Sequence, residues 1–307
     1  MHIPDGMLEA RTWIPCLAAG AGATTWASAW VRRHLDPSRT VLMAVLAALI
    51  FALQMLNFPV AAGTSGHFSG GALAGILMGP WPACLVLSAV LVVQALLFGD
   101  GGLTALGANI LNMAVIAPFL GWAVYRLATR LPGHAFRVLG AFLAAWTAVL
   151  AASLAAALEI ALSGRAHLLE LGAAMAFWHA LIGVGEGLIT ASLVAWLSRV
   201  RPALLQPEGS GEATSVAVVL GLLALAAAGA SFLASASPDG LEYVYFEKGL
   251  GQVFPAWTAL ESPFPDYLVP GLPGPRLAGV AAGFLGLVVS GVMLYGLTLA
   301  LRRRAQA

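Results

Sequence analysis

The chain opens Met1-His2-Ile3-Pro4-Asp5-Gly6, and a histidine in second place makes a chelator of the residues around it. The α-amine of Met1, the deprotonated amide of His2 and the His2 imidazole Nδ1 close adjoining five- and six-membered rings around one metal. Only an ion with a strong preference for square-planar nitrogen drives the amide proton off, which selects Ni(II) or Cu(II). A residue as large as His2 in second place predicts that Met1 is retained. Three donors leave one corner of the square for a group from elsewhere in the fold. Five further histidines compete for it: His34, His67, His134, His167 and His179. His67 sits in Gly63-Thr64-Ser65-Gly66-His67-Phe68-Ser69-Gly70-Gly71, where glycines let backbone and imidazole approach closely. Which histidine meets the N-terminus depends on the elements that carry them.

Of the 307 residues, 60% are apolar and 9% charged, with 15 Lys and Arg against 14 Asp and Glu. Soluble domains carry about a quarter charged residues, so the composition predicts an integral membrane protein. It offers no basic stripe for nucleic acid, and two cysteines, Cys16 and Cys84, exclude a disulfide framework or a four-thiolate zinc site. Apolar runs lie near 13–31, 40–58, 70–98, 103–127, 138–162, 168–197, 215–236 and 277–301; they are continuous rather than alternating, hence helices and not barrel strands.

The positive-inside rule sets the topology. Arg32, Arg33 and Arg39 put the first loop inside and the N-terminus outside, so the loop carrying His67 is outside. Arg126, Arg130 and Arg137 mark a second inside loop. The run at 70–98 must then cross twice, turning at Gly79-Pro80, where the Gly-Pro pair breaks a helix. Arg199, Arg201 and Arg302–Arg304 also fall inside. The expectation is an all-α membrane protein of nine transmembrane helices, N-terminus out and C-terminus in. His34 and His134 fall on the inner side, His167 at an outer helix end and His179 within a helix. That leaves His67 as the candidate fourth ligand. The polar Pro/Gly/Ser stretch at 201–213 reads as a linker. It divides a seven-helix domain, 1–200, from a two-helix module, 214–307, with an external loop at 237–276.

Other polar groups in apolar helices have two readings each. His179 and Glu186 share one face of a helix, with Gly183, Gly185 and Gly187 between them. They either orient the ligands or the N-terminal strand, or form an interhelical hydrogen-bonding pair among small residues. Asn109 and Asn112 face the same choice, and Ser65, beside His67, is placed with them. Asp5 either locks the N-terminal turn or is a turn residue after Pro4. Met7, Met55, Met78 and Met113 read as packing. Ala44, Ala48 and Ala52 make a smooth strip at helical spacing, where another helix can approach closely.

Three motifs taken together, His2-Ile-Pro-Asp-Gly-Met-Leu8, Gly63-Thr-Ser-Gly-His67 and His179-Ala-Leu-Ile-Gly-Val-Gly-Glu186-Gly-Leu-Ile-Thr190, closely resemble the CbiM/NikM family, the substrate-capturing membrane components of nickel and cobalt energy-coupling factor (ECF) transporters. The resemblance covers residues 1–200. Ser237-Pro238-Asp239-Gly240-Leu241-Glu242 resembles the signature of the NikN-type PDGLE domain, so the whole resembles a NikMN fusion. It implies a seven-helix S-component-like bundle in the bacterial inner membrane. It also implies Ni(II) or Co(II) as transported substrate, held square-planar by the Met1 amine, the His2 backbone nitrogen and imidazole, and His67, with no organic cofactor. The implied partners are a CbiQ/NikQ-type transmembrane coupling protein, docked on alanine strips such as Ala44/Ala48/Ala52, and a CbiO/NikO-type ATPase. The single lysine, Lys248, lies outside any P-loop context, so ATP hydrolysis is expected in separate subunits. Neither His-Glu-x-x-His nor a serine or cysteine nucleophile motif is present. A stand-alone divalent metal permease and a membrane metalloenzyme are the alternative classes, and no sequence motif favours either.

Overall fold

The computed structural model describes residues 1–205, 213–252, 254 and 258–306. The stretch read as a linker therefore lies largely outside the described residues. Ten helices follow one another: α1 (Ala10–His34), α2 (Thr40–Gln54), α3 (Gly71–Met78), α4 (Pro80–Phe98), α5 (Leu106–Ala128), α6 (His134–Leu162), α7 (Leu168–Val200), α8 (Ala213–Gly229), α9 (Gly240–Glu242) and α10 (Pro275–Gln306). Strands β1 (Phe58–Pro59) and β2 (Ser65–Gly66) form a small hairpin.

The apolar runs become helix over most of their length, because a backbone in lipid must satisfy its hydrogen bonds within itself. Among the described residues five helices, α4, α5, α6, α7 and α10, are long and apolar enough to cross a bilayer, and the chain is a multi-pass membrane protein. Their outer faces carry Leu143, Leu154, Leu158, Leu181, Leu188 and Val288 exposed, as a lipid-facing surface requires. The run at 70–98 does break at Gly79, whose φ of 82° and ψ of 165° separate α3 from α4. This is a conformation that essentially only glycine adopts. At eight residues, α3 rises about 12 Å, less than half the roughly 30 Å of hydrocarbon.

The alanine strip of α2 does not present an open face. Ala44, Ala48 and Ala52 are all buried. An added Cβ on Gly291 of α10 would lie 3.4 Å from the Ala44 carbonyl and 3.6 Å from the Ala48 side chain, and Ala52 packs with Ala227 and Ala228 of α8. The expected docking strip is thus filled by the chain's own C-terminal pair, whose small residues fit a smooth surface as well as a partner's would. Around it a continuous apolar core, with Phe51, Leu73, Leu87 and Phe98 fully buried, joins α2, α3 and α4.

Candidate metal centre

The first eight residues do not dangle; they thread into the bundle. Ile3 and Met7 are fully buried. The Ile3 N–H donates to Asn109 Oδ1 (2.9 Å), while Asn109 Nδ2 and the Gly102 N–H both donate to the Ile3 carbonyl (3.1 and 2.9 Å). Asp5 closes the turn. Its Oδ1 accepts from the Thr104 N–H and hydroxyl (2.8 and 2.6 Å), and its Oδ2 from the Ala259 N–H (3.0 Å). These contacts hold the first residue in place by holding the third and the fifth.

His67 is fixed from both sides. The hairpin before it pairs Phe58 with Gly66 and Pro59 with Ser65, and Ser65 reaches the C-terminal module, its N–H donating to the Pro238 carbonyl (2.8 Å) and its hydroxyl to the Ser237 carbonyl (2.7 Å). After it, the Glu186 carboxylate accepts from the Ser69 N–H (2.8 Å), the Ser69 hydroxyl (2.6 Å) and the Gly70 N–H (3.1 Å) at the entry to α3. So Glu186 holds the ligand loop rather than pairing with His179.

These two pieces meet. The Met1 amine lies 2.9 Å from His67 Nε2, and the His2 and His67 rings stack with centroids 5.2 Å apart and planes 18° from parallel. With metal–nitrogen bonds of about 2 Å, neighbouring corners of a square plane lie about 2.8 Å apart. The spacing of amine and imidazole suits two such corners. Desolvation, reinforced by the Met1 ammonium and His2, pushes the His67 pKa down to about 3, leaving a neutral ring with a lone pair to donate.

Three residues at the site were given no role there by the sequence reading. Asp239 ion-pairs with the Met1 ammonium, and its Oδ2 is 3.9 Å from His67 Nε2. Asp100 Oδ1 lies 3.0 Å from His2 Nδ1, and Asp100 Oδ2 accepts from the Tyr267 hydroxyl (2.5 Å). Desolvation alone would raise both carboxyls. The Met1 amine and His67 outweigh it at Asp239, and His2 with the Tyr267 hydrogen bond outweighs it at Asp100, so both sit below the usual carboxylate range. A cavity of about 410 Å³ opens beside them, lined by His2, His67, Asp100, Asp239, Glu242 and Tyr267 among others.

The remaining candidates lie further out. The His179 Nδ1–H donates to the Met175 carbonyl (2.9 Å), and the ring lies in the wall of a small void that Met1, His67, Glu186 and Gly240 also line. Asn112 Nδ2 donates to Glu159 Oε2 (2.7 Å), bracing α5 on α6. Met7, Met55, Met78 and Met113 are buried among apolar neighbours. Among the described residues, no three His, Cys, Asp or Glu side chains are placed to hold a metal ion. What meets there instead is the Met1 amine and the imidazoles of His2 and His67.

Comparison with known proteins places the chain in a family. A family model described as the cobalt uptake substrate-specific transmembrane region, CbiM, matches residues 2–204. The chain belongs to the CbiM family. A second model, the PDGLE domain, matches residues 214–303, so this CbiM-type chain carries a PDGLE module behind it. A fused nickel transport protein NikMN from Rhodobacter capsulatus is 35% identical over 99% of this chain and 100% of its own. A cobalt transport protein CbiM from Geobacter sulfurreducens is 34% identical over 74% of this chain and 70% of its own. The crystal structure of a truncated transition metal transporter, 36% identical, superposes with a TM-score of 0.58 over 65% of this chain and 99% of its own. These relatives are named as transport proteins, and the chain is a transport component rather than an enzyme.

Proposed function

We propose that this CbiM-type chain captures Ni(II), or Co(II), from outside the cell. The ion is held square-planar by the Met1 amine, the His2 amide nitrogen and imidazole, and His67 Nε2. The observation that carries the reading is the 2.9 Å approach of the Met1 amine to His67 Nε2 with the His2 ring stacked alongside. His2 Nδ1, 3.0 Å from Asp100 Oδ1, must leave that contact to close the chelate. All-nitrogen square-planar donors favour Ni(II) over Co(II), and the name of the full-length Rhodobacter relative points the same way.

The reading extends to nine crossings, the short α3 spanning together with the 65–70 loop segment before it, with the N-terminus outside and the C-terminus inside, the seven-helix domain 1–200 being joined through 201–213 to the PDGLE module. Energy comes from separate subunits of the CbiQ/NikQ and CbiO/NikO types. The support is the arginine bias of the loops and the absence of a P-loop from the sequence. With α2 covered by α8 and α10, the coupling protein docks on another face.

The test is Ni(II) titration of the purified full chain beginning at Met1. A longer peptide fused ahead of Met1, which moves the amine out of chelating range of His2, and separately His67→Ala, should each abolish high-affinity binding and the absorption of a diamagnetic square-planar complex. Undiminished binding by the extended chain would sink the model. Accumulation against a gradient in vesicles holding this chain alone would refute the need for ATPase partners.

A further inference from the structure

The Pro238-Asp239-Gly240-Leu241-Glu242 turn has a physical role at each position, and one of its atoms is left over from the needs of the fold. Asp239 Oδ1 caps α9, accepting from the Leu241 and Glu242 N–H groups (2.8 and 2.9 Å). Glu242 returns a bond by accepting from the Asp239 N–H (3.0 Å), completing a capping box. Leu241 is fully buried. Gly240 lies so close to α7 that a Cβ there would be 2.8 Å from His179 Cε1 and 2.8 Å from Ile182 Cδ1. The Pro238 carbonyl receives the Ser65 N–H, two residues before His67. The capping bonds shape the turn, and the Pro238 and Gly240 contacts seat it over the N-terminal site. Asp239 Oδ2 serves none of them and instead meets the Met1 amine.

From this geometry we infer that Asp239 of the PDGLE module is the positioning residue for the Met1 amine, so that the C-terminal module completes the metal-capturing site instead of standing apart from it. The inference rests on the capture reading above. Met1 is only 6% exposed, and a buried ammonium without a counter-ion is strongly disfavoured; lacking Asp239, the amine would withdraw toward water and away from His67. One oxygen of the carboxylate is locked by the turn, so the other has little freedom. It delivers the amine to within 2.9 Å of Nε2. Once the dication is bound by one amidate and three neutral donors, the complex carries a single positive charge, and Asp239 remains beside it to balance that charge.

The experiment compares the full chain with Asp239→Asn and Asp239→Ala. Asparagine keeps an oxygen for the Leu241 and Glu242 N–H groups while removing the charge, so Asp239→Asn should keep the capped turn and lose only the ion pair to the amine. Its Ni(II) affinity should fall 10- to 100-fold, the range for groups that orient metal ligands, with the spectrum at saturation unchanged because the ligands are unchanged. Acylation of the Met1 amine by an amine-directed reagent, read by mass spectrometry against Lys248, should rise several-fold without any metal present. Asp239→Ala should show the same shifts together with a lower unfolding temperature. Wild-type affinity and wild-type acylation in Asp239→Asn would overturn the inference, as would an altered spectrum at saturation, which would make Asp239 itself a ligand. If His67→Ala abolishes binding while Asp239→Asn leaves it intact, only this inference fails. If His67→Ala binds like the wild type, the capture reading fails and takes this inference with it.

Discussion

An amide side chain can satisfy both the N–H and the C=O of one peptide residue, and Asn109 does this for Ile3, two positions from the amine that matters. Replacing it by alanine strands a buried N–H, at a cost of about 1–3 kcal/mol. Asn109→Ala should therefore lower the unfolding temperature and loosen Ni(II) binding at least tenfold, both measurable on the same preparation. At this scale the sequence was most informative where the chemistry is local. His2 announces a chelate by position alone, and His67 follows from being on the same side. Asp100 was illegible because nothing local marks it, and Asp239 stood out only within the Pro-Asp-Gly-Leu-Glu signature, with nothing to tie it to the N-terminus. Residue 239 comes to residue 1 only through the packing of α9 on α7, and its capping-box spacing explains it fully without any metal. Glu186 was half legible; its burial in an apolar helix predicted a polar partner, but the partner is the Ser69–Gly70 backbone, not His179.

Among the elements, the loop between α9 and α10 carries the clearest sign of constraint. Asp266 and Tyr267 both take left-handed backbone conformations, φ 53° and 57°, each costing on the order of 1–3 kcal/mol. What holds Tyr267 there is the stack on Phe98 (4.9 Å) and the hydroxyl shared between Asp100 and Gln94. Tyr267→Phe keeps the stack and removes the hydroxyl. Amide hydrogen exchange around 264–269 should accelerate, and Asp100 should lose part of its grip on His2. Gly79→Ala asks a side chain to adopt φ 82° and ψ 165°. It should destabilise the α3–α4 break by about 1–3 kcal/mol, read as a lower unfolding temperature. The break was legible from Gly79-Pro80 because the turn chemistry is encoded in two adjacent residues. The use of the α2 alanine strip was not, since a smooth helix face does not specify whose helix will cover it.

On the scale of the whole molecule, the two family modules share more than a covalent connection. Gly286 of α10 lies over Phe51 of α2, so close that a Cβ would come within 1.9 Å of the ring. Residues 1–205 and 213–307, coexpressed as separate chains, should therefore copurify, and Gly286→Leu should separate them, because overpacking at such a contact distorts both helices. The capture site also has a topological consequence. Met1 and His67 are 66 positions apart, so an ion held by both closes a ring in the chain as a disulfide would. In a chain-entropy picture, a ring of that size removes roughly 4 kcal/mol of freedom from the unfolded ensemble. Nickel should accordingly raise the unfolding temperature of the full chain and leave that of His67→Ala where it was. The passenger is then also a clasp: to hand the ion inward, the protein must undo its own cross-link, and each delivery leaves behind a slacker molecule than the one that arrived loaded.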